Sequence, residues 1–549
     1  MNRLVACPFR FAALAIIAVA GWGCHADSRN QVSYLQRFAA FDRSPIQSKS
    51  PDSSLTTTRQ SRPPAIDVDA EPAEINAKTA LVSYQENGNE NPPIPKPIVE
   101  SASTAEPILL EDVLSSVASH YPLLIAAAAE QEIAEGKALS ASGQFDTQAK
   151  ASSISQPLGF YKNQRAGATL TQPIFANGGY AYGGYKLGRG DFPTWYKERQ
   201  TDGGGEYAIG VAVPLLKDRN IDKRRAELFQ ANLDVNSVEP MVRNQLINFS
   251  REAAYAYWYW VAMGQSLEVQ QSLLRLAEAR VEQISFRVEK GDLAKIASID
   301  NERLIASRTT KLIEATRKFQ AASIKLSLFL RTTDGEPLLP DASQLPKDFP
   351  PLLVRDPDDL EADLSQAITE RPEIREIDFE LQKINVDVQS AENQLLPKLD
   401  AVLEGSKDTG TPATSAEDKT PFEMEAGLLA EVPLQRREAR GKLRSAQGKQ
   451  AQLMAKREFI INKITTSVQD SYSAIQNARE RYEQAKRTKD LALQSLEIGR
   501  QQFGAGDIDL IVLNIYEQAE TDAELQVIDA EAEYFAALAD YHAALGQVR

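Results

Sequence analysis

Side-chain chemistry is scarce in this sequence. Its three histidines stand at 25, 120 and 542, and there is no H-E-x-x-H and no cysteine pair in the mature region, so zinc chemistry has no ligand set. No G-x-x-x-x-G-K-[ST] occurs, so any nucleotide-driven step belongs to another protein. "GGYAYGGYKLGRG" (178–190) lacks G-x-G-x-x-G spacing and reads as strand and turn, and five scattered methionines give copper no thioether route. These absences argue against an enzyme and imply no cofactor and no metal. What remains is one thiol. Cys7 lies inside an apparent secretory signal and Cys24 at its end, so an internal disulfide is impossible after processing. Cys24 follows "GWG" as a lipobox cysteine would, and such a thiol takes a diacylglyceryl group and becomes the new N-terminus. Gly21 stands where Leu is usual, and ordinary cleavage near Ala26 is the alternative.

The signal has the expected parts: Arg3 and Arg10, then ten apolar residues "FAALAIIAVA" (11–20), then small residues. Ten residues are too few to span a bilayer core, which needs about 20, and no later stretch comes nearer. The chain is therefore expected to be exported without a helical membrane anchor. A net charge of −15 argues against nucleic acid as a partner, because binding phosphate backbones calls for clustered Lys and Arg.

Two other stretches repeat a pattern of a different kind. Gly291-Asp292-Leu293 interrupts "RVEKGDLAKIASIDNERL", and Gly506-Asp507-Ile508 interrupts "QQFGAGDIDLIVLNIYEQ", 215 positions later. Glycine costs about 1 kcal/mol against alanine inside a helix. Both triplets sit between long helical patterns, so each glycine is expected to turn the chain between antiparallel helices.

The elements that carry these triplets are duplicated. Residues 1–23 are the signal, and 24–105 form a Ser-, Pro- and Asn-rich tether with too little apolar content to offset its ordering entropy. The first repeat spans 106–335, a connector 336–356 and the second repeat 357–549. "LLEDVLSSVASHYPLL" (109–124) aligns with "DLEADLSQAITERPEI" (359–374), Pro122 on Pro372. Period-two segments follow. In "FEMEAGLLAEVPL" (422–434), Phe422, Met424, Ala426, Leu428, Ala430 and Val432 share one face and Glu423, Glu425 and Glu431 the other, with "LDAVLEG" (399–405) as partner strand. The first repeat has text for four strands: "FDTQAKASSIS", "AGATLTQPIF", "GYAYGGYKLG" and "YAIGVAVPLL".

Long helical runs at 221–289 and 436–503 come next, with a kink expected at Pro240. Each carries a seven-residue apolar period: Leu246, Trp260, Leu267, Leu274, Val281 and Val288 in the first, with Ala253 as a small member, and Ile461, Val468, Ile475, Tyr482, Leu496 and Phe503 in the second, with Lys489 as the break. Small residues three positions on, from Ser471 to Gly499, allow close helix approach. Fresh helical patterns then run from 293 to 330 and from 508 to 545. The aromatic run "AAYAYWYWVAMG" (253–264) reads as helix packing, since Tyr257 and Tyr472 hold the same repeat position.

Helix, strands, long helix and glycine-tipped return helix, twice over behind a lipoprotein-like signal, resemble the TolC-like family of outer-membrane efflux proteins over about 106–547. "FGAGDIDLIVLNIYEQAETDAELQVIDAEAEYFAALADYHAALG" and "VEKGDLAKIASIDNERLIAS" carry the likeness most specifically. The resemblance implies a mainly α fold with a β-barrel part. It implies a homotrimer whose strands close one barrel in outer-membrane lipid while its helices form a periplasmic α-barrel. It also implies a passive exit channel for tripartite efflux or type I secretion, working with a periplasmic adaptor and an inner-membrane pump.

Gly291, Asp292, Leu293, Gly506, Asp507 and Ile508 are then candidate adaptor-docking tips. The family's acidic entrance ring would fall at Val512 and Ile515, which are apolar here, leaving Asp300 and Asp509 as possible gate residues. The family's two strands per repeat give twelve per trimer, so the surplus text in the first repeat predicts an extra hairpin at about 165–190. An envelope-spanning coiled-coil scaffold without a lumen is the alternative, and it has no need of a lipid-facing strand face.

Overall fold

Proline opens the second helix of each half, where its fixed φ suits a first turn and its missing N–H costs nothing. The computed structural model describes residues 106–193, 200–352, 359–413 and 422–548. The signal, Cys24 and the expected tether lie outside them. In chain order the first half comprises α1 (Leu110–His120), α2 (Pro122–Ser142), β1 (Gln148–Gln156), β2 (Asn163–Pro173), β3 (Tyr180–Gly190), β4 (Glu206–Pro214), α3 (Lys223–Ala279), α4 (Val281–Glu289) and α5 (Ile296–Leu326). The second half repeats the order with α6 (Asp359–Glu370), α7 (Pro372–Asn393), β5 (Lys398–Asp408), β6 (Glu423–Glu431), α8 (Arg437–Ala505) and α9 (Leu510–Ala544). Pro122 and Pro372 stand at the first positions of α2 and α7.

Among the described residues four strands, not two, lie between the helices of the first half. The surplus pair is the β2–β3 hairpin, where the strand-like text predicts it. All six strands form one antiparallel sheet in sequence order, β1-β2-β3-β4-β5-β6. The extra hairpin is thus a continuous part of the sheet, inserted between β1 and β4.

The long helices pair as expected, α3 with α5 and α8 with α9. At 1.5 Å per residue the 69 residues of α8 reach about 100 Å. Along α8 the seam is buried at Ile464, Val468, Ser471, Ile475, Ala478, Ala485, Leu496 and Gly499. The aromatic run of α3 is core. Tyr257 and Trp260 are buried, the Trp260 indole N–H donates to Ser323 Oγ at 3.1 Å, and Trp258 stacks on Phe535 with centroids 4.3 Å apart.

Two expectations about the first long helix are corrected. The run expected to be helical throughout 221–289 is interrupted at Arg280, while α3 contains Pro240 within its length. Below Leu267 the buried edge passes to Gln270, Leu273, Ala277 and Ile284, while Val281 is exposed and Leu274 half-buried. The cause of both is the ion cluster around Glu517 described below, which draws Arg280 inward and rotates that part of the seam.

Gly499 and Gly441 offer a paired test of the seam. A Cβ on Gly499 would come 2.6 Å from Tyr516 Cδ2, whereas one on Gly441 would meet nothing within 4 Å. Alanine gains about 1 kcal/mol of helix propensity at either site, and overpacking costs about 1–3 kcal/mol. Gly441→Ala should therefore stabilise the protein and Gly499→Ala should destabilise it, read as opposite shifts in a denaturant midpoint. Equal shifts would show that Tyr516 yields freely.

Candidate functional site: an amphipathic sheet and two hairpin tips

The sheet register sorts its side chains into two faces, because directly paired residues in an antiparallel sheet share a side. One face carries Ala149 and Ala151 of β1, Ala166, Ala168 and Leu170 of β2, and Ala181, Tyr185 and Leu187 of β3. It continues through Tyr207, Ile209, Val211 and Val213 of β4, Leu399, Ala401 and Leu403 of β5, and Met424, Ala426, Leu428 and Ala430 of β6, with Gln164, Gln172, Arg189 and Lys407 toward the strand ends as its polar members. Ile209, Met424 and Leu428 are well exposed.

The opposite face carries Lys150, Arg165, Lys186, Glu206, Asp400, Glu404, Glu423, Glu425 and Glu431, with Ile154, Val402 and Leu429 as apolar members. An apolar face backed by a charged one is the arrangement of a wall between lipid and water. The strands are 9 or 11 residues long, and a tilted membrane-spanning strand needs about 9–11.

On the charged face the extra hairpin is tied to the two strands that follow it, β4 and β5. Lys186 Nζ lies 2.9 Å from Glu206 Oε1. The Tyr182 hydroxyl crosses over β4 to donate to Glu404 on β5, and its ring lies over Gly210, where any Cβ would collide with it. These ties were not legible in the sequence, where Tyr182 and Glu404 stand more than 200 positions apart.

The two glycine triplets are built alike. Gly291 has φ +82° and Gly506 φ +86°, and neither would bring an added Cβ near any other atom. The Gly291 N–H donates to Val288 O at 3.1 Å and the Asp292 N–H to Arg287 O at 2.8 Å. At the other tip the Gly506 N–H donates to Phe503 O at 3.2 Å and the Asp507 N–H to Gln502 O at 2.9 Å. Both are Schellman closures, in which a left-handed residue lets two N–H groups satisfy the last helical carbonyls. The glycine is required by φ and not by crowding.

Asp292 and Asp507 are exposed, and Leu293 and Ile508 half-buried beside them. Asp509 caps α9, its Oδ1 accepting from the Val512 N–H at 2.9 Å, and Asp300 sits 3.6 Å from Arg303 one turn along α5. The α5 end has no side-chain cap. Near the two tips the structure exposes further apolar residues, of which the sequence reading singles out only Ile515. Phe286, Ile296 and Ile299 are exposed at the first, and Ile498, Ile511 and Ile515 at the second. Their i,i+3 and i,i+4 spacings were readable, but not that these faces stay uncovered in the chain.

Between the tips and the aromatic core, Glu517 of α9 joins the two repeats. Its carboxylate pairs with Arg280 at the α3–α4 break and accepts from Arg308 Nη2 of α5 at 2.8 Å. Arg308 Nη1 also donates to Leu273 O at 2.7 Å, and Asn301 Nδ2 to Ala277 O at 3.2 Å. The side chains of Glu517 and Arg308 are only 1% and 2% exposed. Burial first, and then neighbouring Arg280, pulls the Arg308 guanidinium down to about 10, so it stays charged at neutral pH.

No helix among the described residues is long and apolar enough to cross a membrane, a statement that leaves the sheet untouched. A sheet of two-faced strands carried on duplicated long helical hairpins is the protomer architecture of outer-membrane channels. Residues 364–547 match the family model described as outer membrane efflux protein. The search of curated proteins finds no match.

Among solved structures, the fold is similar to the outer membrane protein VceC of Vibrio cholerae, at 15% identity with a TM-score of 0.57, covering 80% of this chain and 97% of that one. It is also similar to the CmeC outer membrane channel of Campylobacter jejuni (13%, 0.56, 80% and 86%) and to the open-state MtrE outer membrane channel of Neisseria gonorrhoeae (14%, 0.55, 82% and 94%). The fold is that of the TolC-like outer-membrane efflux channels, and the second repeat carries their sequence pattern. The matched family comprises efflux proteins of the outer membrane and is not an enzyme class.

Proposed function

We propose that three copies of this chain close their sheets edge to edge into one barrel and serve as the passive exit duct of a tripartite efflux or type I secretion system. The observation that carries this reading is the two-faced sheet, whose end strands β1 and β6 each have one side pairing with no strand among the described residues. A nine-residue edge strand leaves about four N–H and four C=O groups open, and each costs several kcal/mol in lipid. That penalty, on the order of tens of kcal/mol, is removed by pairing with a neighbouring copy. A coiled-coil scaffold would gain nothing from the apolar face. Native mass spectrometry of the protein extracted from outer membranes should give trimers; monomers alone would end this reading.

In the same reading, residues 106–335 and 357–549 are two structural repeats joined by 336–356. The tips at Gly291–Leu293 and Gly506–Ile508 dock a periplasmic adaptor that an inner-membrane pump engages. Residues 1–23 are removed, and 24–105 tether the channel to the inner leaflet through lipid on Cys24. Mass spectrometry of the mature protein should find no residue before Cys24 and an acyl mass on it. Cys24→Ser should still trimerise, because the sheet holds the membrane without the lipid. An unmodified N-terminus elsewhere would remove the anchor from the account.

A further inference from the structure

We infer that the membrane wall of the assembled protein has eighteen strands, and that the β2–β3 hairpin is the insertion that widens it for bulky cargo. The inference rests on the trimer proposed above and goes beyond it. Its basis is that the hairpin is neither a flap nor a cap. It is paired to β1 over Asn163–Thr171 on one side and to β4 over Tyr180–Lys186 on the other. Its residues continue the two faces of the sheet, with Ala166, Ala168, Leu170, Ala181 and Leu187 on the apolar side and Arg165, Thr169 and Lys186 on the other. The Lys186–Glu206 pair and the Tyr182 hydroxyl on Glu404 hold it to the strands that follow. Both strands are 11 residues long, as long as β5.

The consequence for the pore is geometric. Strands about 4.8 Å apart and tilted about 40° give a wall about 36 Å across for eighteen strands and about 24 Å for twelve. A side-chain layer of about 5 Å on each side leaves a lumen of about 26 Å against about 14 Å. A bare α-helix with its side chains is about 10–12 Å wide, so the wider wall passes a helical hairpin or a looped polypeptide where the narrower passes one helix. The cargo class this points to is polypeptide or similarly bulky solute.

The test uses the full chain in lipid nanodiscs, with subunit number fixed first by native mass spectrometry. Spin labels at Ala168→Cys and Thr169→Cys should alternate, the first relaxed by oxygen from the lipid side and the second by a water-soluble nickel complex. Removing residues 162–202 leaves β1 antiparallel to β4, and should shrink the wall seen by electron cryomicroscopy about 1.5-fold. Trimers in which both labels respond to nickel alone would overturn the inference and leave the channel reading standing, as would an unchanged wall after the deletion. Should the deletion variant fail to assemble, the label pair in the undeleted protein still decides. Absence of any trimer would overturn both.

Discussion

Leu293→Asp combined with Ile508→Asp should abolish adaptor crosslinking and reduce export to the level of a channel-null strain, while trimers still reach the outer membrane. The turns themselves do not depend on these side chains, since both are closed by backbone N–H groups and a left-handed glycine. Leu293 and Ile508 are half-buried beside exposed apolar residues, Ile296 at one tip and Ile511 at the other. An adaptor seated there buries them, and an unpaired carboxylate in such a contact costs several kcal/mol, enough to reduce docking by more than a hundredfold. Crosslinking yields and efflux of a reporter solute measure the effect. Wild-type values for both in the double variant would reduce the triplets to hairpin turns and place the docking surface elsewhere. Gly506→Val is a harsher probe, because φ near +86° is hostile to a β-branched residue.

Glu517→Ala should produce the largest loss of stability. It leaves Arg280 and Arg308 facing each other without their anion in a site that is nearly dry, and removing one partner of a buried ion pair costs about 3–5 kcal/mol. Replacing all three charges by apolar residues, Glu517→Leu with Arg308→Met and Arg280→Met, should recover most of that loss, because the desolvation penalty disappears with the charges. Helical unfolding followed by circular dichroism would show the single variant melting well below the parent and the triple variant close to it. A single variant that melts with the parent would mean that water reaches the cluster.

Much of the architecture was legible because two periods dominate the sequence. Alternation in "FEMEAGLLAE" and in "YAIGVAV" marks β6 and β4 and assigns their faces, and the surplus alternating text of the first half marks β2 and β3. The tips were legible because glycine is expensive in a helix and recurs at one register. The break at Arg280 was not, since "LAEARVEQIS" is good helical text and its partner Glu517 lies 237 positions away. The same pairing accounts for the misplaced seam, since Leu274 and Val281 keep the seven-residue period and yet yield the interior to Leu273, Ala277 and Ile284. A local pattern reports what a helix could bury, and the charged cluster decides which part of it is turned inward. The exposed isoleucines near the tips fail for a related reason: periodicity defines a face but does not say what covers it.

The Schellman closures have a consequence for how the tips can change. Each turn is specified by one glycine and by N–H groups that any residue except proline supplies. The side chains at 292, 293, 507 and 508 take no part in closing it, and the space around both glycines is open. Substitutions at these four positions, proline excepted, therefore leave the hydrogen bonds of the turn in place. In the docking role proposed for these positions they would form an interchangeable address on a fixed connector, and the two tips of one chain could diverge from each other while keeping the same turn.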